Sequence, residues 1–250
     1  VSLPADLAAA LPRLAARRPL LVASDYDGVL ARLRDDPGAA VPEPGVAEVL
    51  ARLAAHPEVT VALVSGRGVA DLQRTSGFTG PYRWVGSHGA EFDGPLAGEL
   101  AARRDALAAR LAPVAEGTPG TRLEVKPASV AVHVRQVTDR AAAADVLARA
   151  RALADPSLTL KPGKDVLEIA VTDADKGSAL RRLRAELGSA AAIYLGDDLT
   201  DEDVFAVLGA DDVGVKVGPG ETVAGARVAD PAGALAVLTA LDDALARAAG

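Results

Sequence analysis

The chain has 250 residues, of which 50% are hydrophobic and 24% charged; this is enough apolar material to bury a core and excludes disordered and fibrous classes. It has no cysteine, which excludes disulfide frameworks, thiolate metal sites and thiol nucleophiles and leads us to expect a reducing, cytoplasmic setting. A formal charge of −7 without a basic stripe argues against a nucleic-acid partner, no apolar run approaches the roughly 20 residues of a membrane span, and the absence of methionine implies a trimmed or processed start.

Short apolar runs alternate with helical patterns, the sign of βαβ units and a mostly parallel sheet. The first run, Leu20 to Ala23, stops at Ser24-Asp25-Tyr26-Asp27-Gly28, and a helical pattern follows from about Pro44 to His56. The second run, Val59 to Val64, is almost wholly apolar, as a strand covered on both faces should be. It ends at Ser65-Gly66-Arg67, and a further helix and the run Tyr82 to Val85 lead into Gly86-Ser87-His88-Gly89.

From about Gly98 to Asp165 the pattern changes to a long helix, the strand pair Arg122 to Lys126 and Val130 to Arg135, a helix through Asp139 to Ala154, and strands flanking Lys161-Pro162-Gly163-Lys164. Residues 98–165 carry 11 basic and 8 acidic side chains, a mildly basic stretch in an acidic chain. We therefore expect an α/β core of residues 1–97 and 166–250 interrupted by a small α+β insert of residues 98–165. In the last third come a helix from Lys176 to Leu187, a strand Ala191 to Leu195 running into Gly196-Asp197-Asp198, a strand Val213 to Val217 and an Ala-rich closing helix.

Open parallel sheets bind ligands at the carboxyl ends of their strands. Here four strands end in Asp25/Asp27, Ser65/Arg67, His88 and Asp197/Asp198. Asp-x-Asp-Gly by itself fits an Asx-capped turn as well as a site. Asp197, Asp198, Asp201, Glu202 and Asp203 place five carboxylates in seven residues; part of that cluster suits a first helical turn, while Asp197 with Asp25 would make a hard-oxygen site for Mg²⁺. Lys176 opens a helix against the dipole preference for acids, which calls for a specific anionic partner. Ser65 fits either a helix cap or a donor to a phosphoryl oxygen.

In order and position, Asp25-Tyr26-Asp27-Gly28, Ser65, Lys176 and Gly196-Asp197-Asp198 resemble the four-motif signature of the haloacid dehalogenase (HAD) superfamily. Further stretches resemble the trehalose-6-phosphate phosphatase family within it: Gly86-Ser87-His88-Gly89-Ala90-Glu91, Glu124-Val125-Lys126 with Ser129-Val130 and His133-Val134-Arg135, Gly163-Lys164-Asp165-Val166-Leu167-Glu168, and Gly196-Asp197-Asp198-Leu199-Thr200-Asp201-Glu202. One departure is Val29, where many members carry Thr. The resemblance implies a doubly wound, Rossmann-like core with an inserted α/β cap that closes over the active site.

It also implies a mechanism: Asp25 as nucleophile forming an aspartyl-phosphate, Asp27 as general acid and base, and Ser65 and Lys176 as donors to the phosphoryl group. Mg²⁺ would be held by Asp25, the Asp27 carbonyl and Asp197, with Asp198 and Asp201 behind them. Substrate contacts fall to Arg67, His88 and Glu91 in the core and to Glu124, Lys126, His133, Arg135, Lys164 and Glu168 in the insert, the partner being a small sugar phosphate. Arg135 and His133 fit equally a solvated strand residue and a hydrogen-bonded core histidine. Rival readings are another capped sugar phosphatase, acting on sucrose phosphate or mannosyl-phosphoglycerate, and a non-catalytic phosphosugar sensor. The sequence leaves the oligomeric state open.

Overall fold

Helix α1 (Ala5–Ala15) leads to the buried strand β1 (Leu20–Ser24) in the computed structural model, which describes residues 3–34, 36–96 and 98–249. The first part of the larger unit continues with α2 (Val46–Ala55), β2 (Val59–Val64), α3 (Val69–Ser76), β3 (Arg83–Gly86) and the short β4 (Glu91–Phe92). The smaller unit follows as α4 (Gly98–Glu116), β5 (Arg122–Lys126), β6 (Ser129–His133), α5 (Arg140–Leu153), β7 (Thr159–Gly163) and β8 (Val166–Ala170). The chain then returns through α6 (Lys176–Leu187), β9 (Ala191–Gly196), α7 (Glu202–Phe205), β10 (Val213–Val217), β11 (Ala226–Val228) and α8 (Pro231–Ala249).

Among the described residues of the larger unit, seven strands form one sheet in the order β11-β10-β9-β1-β2-β3-β4, parallel throughout except at β4. Strand alternation decides which core each side chain joins. Leu20 and Val22 pack with Leu50 and Leu53 of α2 and Leu238 and Leu241 of α8, whereas Leu21 and Ala23 pack with Leu180 and Leu183 of α6. The apolar positions Val46, Val49, Leu50 and Leu53 fall on one stripe of α2, which is why that helix forms and lies where it does. Each fully buried Leu or Val contributes roughly 1.5–3 kcal/mol. Because the chain passes from β1 to β2 on one side and returns to β9 on the other, β1 is the topological switch point, and a crevice opens at the carboxyl ends of these strands.

The smaller unit is an antiparallel sheet of order β5-β6-β8-β7. Leu107 and Leu111 of α4 and Val146 and Ala150 of α5 cover one face by packing on Val130, Val132, Leu167 and Ile169.

The structure moves the expected boundaries. The division falls at Val1–Gly94 with Asp175–Gly250 against Pro95–Ala174, so the strand Val166–Ala170, expected in the core, belongs to the smaller unit. The reason is pairing: β8 is hydrogen-bonded on one side to β6 and on the other to β7. Two local expectations shift as well. Strand β6 ends at His133 instead of Arg135, and Lys161, Pro162 and Gly163 lie within β7, whose edge position tolerates the proline.

Candidate active site

Four loops meet at the switch point. The β1 loop is tied to β9 by the Asp25 N–H, which donates to the Leu195 carbonyl at 2.9 Å. The β2 and β3 loops are stitched together by the Ser87 N–H to the Arg67 carbonyl at 2.7 Å and the His88 N–H to the Ser65 carbonyl at 3.0 Å. Ser87 and His88 both adopt positive φ, of 51° and 56°, a conformation that non-glycine residues hold only where the surroundings impose it. The His88 ring lies over Gly66, where a Cβ would come within 2.6 Å of Cε1. Asp25, Asp27, Ser65, Arg67, His88, Lys176, Asp197 and Asp198 line the resulting cleft of about 440 Å³.

Lys176 finds the partner that its position demanded. At 1% exposure, its Nζ donates to Asp25 Oδ2 at 2.6 Å and to Asp201 Oδ1 at 2.8 Å. Burial opposes the lysine charge, but Asp25, Asp201 and Asp198 outweigh it and hold the ammonium above the ordinary lysine range. Burial also pushes the Asp25 carboxyl up, against the pull of Lys176. With Asp25 ionised, one ammonium between two buried carboxylates leaves net negative charge, which is costly in a low dielectric unless further positive charge enters. The capping box between Asp175 and Ser178 fixes the start of α6 and so the place of Lys176.

Asp201 is wholly buried and its acceptor positions are filled: Oδ1 takes Lys176 Nζ and the Tyr194 hydroxyl, Oδ2 the N–H groups of Asp197 and Asp198. It organises the loop, because four donors converge on it. Asp198 folds its Oδ1 onto Thr200 and the Asp201 N–H and is half-exposed, as a turn residue would be.

Asp197 differs from both. Among the described residues no hydrogen-bond donor reaches its carboxylate, which lies against Gly28; a Cβ there would come within 2.0 Å of Oδ2, and Gly28 has φ of 75°. Burial first, then the carboxylates of Asp201 and Asp198, push its pKa up to about 6. Ligand oxygens of Asp25, Asp197 and Asp201 all lie within 4.8 Å of one another. With four donors on Asp201, Asp25 and Asp197 are the hard oxygen donors of this group with the greater freedom to take a cation, a donor type that suits Mg²⁺.

Asp27 does not join that group. Arg67 Nε and Nη2 donate to its two oxygens at 2.6 and 2.7 Å, and Tyr26 anchors the loop between them through its hydroxyl to the Ala40 carbonyl. Ser65 faces the cleft and accepts from the Arg67 N–H at 3.2 Å. It does not cap α3, whose N-cap is Gly68. Glu91 is buried beside the cleft loops, and its Oε2 accepts from the Val69 N–H at the start of α3 and from the Ser87 hydroxyl.

In the smaller unit, pairing register places Arg122, Glu124, Lys126, His133 and Glu168 on the sheet face opposite its core. Lys126 Nζ donates to Glu168 Oε2 at 2.5 Å and the Ser129 hydroxyl to Oε1 at 2.7 Å, while His133 Nε2 lies 2.8 Å from Glu124 Oε2. Burial works against both carboxylates, yet the bonds from His133 to Glu124 and from Lys126 and Ser129 to Glu168 hold them below the usual range. The histidine is thus hydrogen-bonded on the polar face and not in the core. Arg135 lies beyond the end of β6, so strand alternation does not place it. It lines, with Arg122, His133 and Lys164, an open pocket of about 440 Å³.

Two residues of the larger site escaped the sequence reading, Tyr194 and Lys216. The signal for Lys216 was a lone lysine in the run Val-Gly-Val-Lys-Val. Tyr194 carried none, because a tyrosine in an apolar strand is ordinary.

A trehalose-phosphatase family profile matches residues 23–229. The trehalose-phosphate phosphatase of Mycobacterium avium is 38% identical over 221 residues, covering 82% of this chain and 55% of that protein. The bifunctional trehalose-6-phosphate synthase/phosphatase of Thermoproteus tenax is 36% identical over 238 residues, 91% of this chain and 32% of that protein. The chain therefore spans between a third and about half of the length of these relatives. The solved structure of Aspergillus fumigatus trehalose-6-phosphate phosphatase superposes with a TM-score of 0.75 at 26% identity, over 97% of this chain and 99% of that one.

Proposed function

Because the chain belongs to the trehalose-phosphatase family of the HAD superfamily, we propose that it hydrolyses trehalose 6-phosphate to trehalose and phosphate through an aspartyl-phosphate. The observation that carries this reading is the Asp25 carboxylate, buried at the head of the cleft and held between Lys176 Nζ and the Tyr26 N–H, 2.6 Å from each. Held on both oxygens, it loses little freedom on attack, which is how positioning lowers a barrier.

Asp25 attacks phosphorus, and the bond to the sugar oxygen breaks as that oxygen takes a proton from Asp27. In the second step Asp27 takes a proton from water, the water oxygen attacks phosphorus, and Asp25 leaves with its carboxylate restored. Ser65 and Lys176 donate to phosphoryl oxygens. Asp25, Asp197 and the Asp27 carbonyl would hold Mg²⁺, which supplies positive charge against the repulsion between an anionic nucleophile and an anionic substrate. Glu124, Lys126 and Glu168 recognise sugar hydroxyls with charged hydrogen bonds. Among the described residues no helix is long and apolar enough to cross a membrane, and the cysteine-free composition fits a cytoplasmic setting.

Phosphate release with Mg²⁺ from trehalose 6-phosphate, sucrose 6-phosphate, mannosyl-phosphoglycerate and glucose 6-phosphate tests the reading. We expect the first to be preferred in kcat/KM by a wide margin. Preference for another disaccharide phosphate would refute the substrate, and no release from any would refute the activity.

A further inference from the structure

Lysine is among the residues least often buried, because its ammonium must leave water. Lys216 is nonetheless only 4% exposed, set in β10 between Val215 and Val217. Its register partner is Gly196 of β9, the residue before Asp197. Nζ donates to the backbone carbonyl of Asp197 at 2.5 Å and lies 3.5 Å from that of Asp198. The nearest carboxylate, Glu202 Oε1, is 3.8 Å away, too far for a hydrogen bond. The ammonium is aimed at the backbone of the acidic loop more than at any side chain.

That loop is gripped from the other direction by Asp201, which takes the N–H groups of Asp197 and Asp198. With its N–H and its C=O both engaged, Asp197 retains little freedom beyond its own side-chain rotation, and its carboxylate is directed at Gly28. We propose that Lys216 is a positioning residue, which holds the Asp197 carbonyl so that the Asp197 carboxylate stands in place for a divalent cation before the cation arrives. The inference rests on the reading of Asp25 and Asp197 as cation ligands.

Two effects of Lys216 on a cation have opposite signs, so a measurement can separate them. As a bare positive charge it repels the cation, and its removal would tighten binding. As a positioning residue it lowers the ordering required on binding, and its removal would weaken it. Lys216→Met keeps length and apolar volume without the charge, and Lys216→Gln keeps a neutral donor.

The test is Mn²⁺ binding to the whole chain without substrate, read by electron paramagnetic resonance, for wild type and both variants, with folding checked by circular dichroism in chelator. We expect Lys216→Met to bind about tenfold or more weakly and Lys216→Gln to recover part of the loss. At saturating Mg²⁺, turnover of Lys216→Met should return to within a few-fold of wild type, since the ligands themselves remain. Equal or tighter Mn²⁺ binding by Lys216→Met overturns this inference alone. A wild-type chain that binds no Mn²⁺ overturns the cation reading and the inference with it. If neither variant folds in chelator, Lys216 is a requirement of the fold and the inference is also overturned.

Discussion

Arg67 grips both carboxylate oxygens of Asp27, through Nε at 2.6 Å and Nη2 at 2.7 Å, while its Nη1 reaches Asp71 at 3.0 Å. Burial works against the guanidinium charge, but its hydrogen bonds, chiefly those to Asp27, hold its proton above the ordinary arginine range. A bidentate pair of this kind fixes a carboxylate in both position and plane. Each Asp27 oxygen takes one donor from Arg67 and so keeps a further position at which a proton can be carried.

If Arg67 acts on turnover through Asp27, the two residues must be coupled. Asp27→Asn should slow sugar phosphates, whose alkoxide needs a proton, by about a hundredfold or more, and nitrophenyl phosphate far less. Arg67→Gln should show the same leaving-group pattern at smaller size. In the double variant the losses should fall short of the product of the single ones. Fully multiplicative losses would mean that Arg67 serves the reaction independently of Asp27.

Asp25→Asn removes the proposed nucleophile while nearly preserving volume. Turnover should fall below detection together with the acid-labile phosphoenzyme seen on rapid quenching. The variant should still fold, because Lys176 keeps Asp201 as a partner. A phosphoenzyme that persisted in Asp25→Asn would place the covalent step on another residue.

Asp197 supplies the part of the pH dependence near pH 6, below a second part from Asp25, which burial pushes up to about 8. Burial and the neighbouring carboxylates of Asp201 and Asp198 raise Asp197 from an ordinary 3.8 to about 6. Between those values the cation-free fold holds a proton that the unfolded chain does not. This contribution to stability is therefore full below the unfolded value and is lost as pH rises through about 6. A cation must expel that proton, so the apparent dissociation constant for Mn²⁺ should rise as pH falls below about 6, approaching about tenfold per pH unit. Asp197→Asn should bind weakly with the part of that dependence near pH 6 removed and the part from Asp25 retained. A wild-type affinity flat from about pH 5 to about pH 8 would exclude Asp197 as the titrating ligand.

Glu124, Lys126 and Glu168 belong to the smaller unit and should meet only the sugar. Each charged hydrogen bond lost in an alanine variant should cost roughly 1.5–3 kcal/mol, a factor of about ten to more than a hundred in kcat/KM for trehalose 6-phosphate. Nitrophenyl phosphate should lose little. Lys126→Ala and Glu168→Ala should not be additive, since the two are hydrogen-bonded to each other. Comparable losses on both substrates, with folding intact, would assign these side chains to the support of the fold.

The sequence by itself determined the elements and their chemistry. The apolar run Val59–Val64 announced a strand covered on both faces, and Lys176 at the start of a helix announced an anionic partner, because both patterns arise from local rules of burial and dipole. A doubly wound core followed from the resemblance, but the order of its strands, with β1 at the switch point, is read only from the sheet. Tertiary structure alone decided which acids pair with which bases. Asp25 and Asp27 are two residues apart, yet one faces Lys176 and the other Arg67. Glu91 points under α3 and Asp201 into the interior, and β8 joins β6 although its sequence adjoins the return to the core. These outcomes depend on donors distant along the chain that converge only after folding. Spacing reports where a side chain starts, whereas the field and the hydrogen-bond donors it meets are set by residues such as Lys216, which lies 19 positions from Asp197 yet holds its carbonyl.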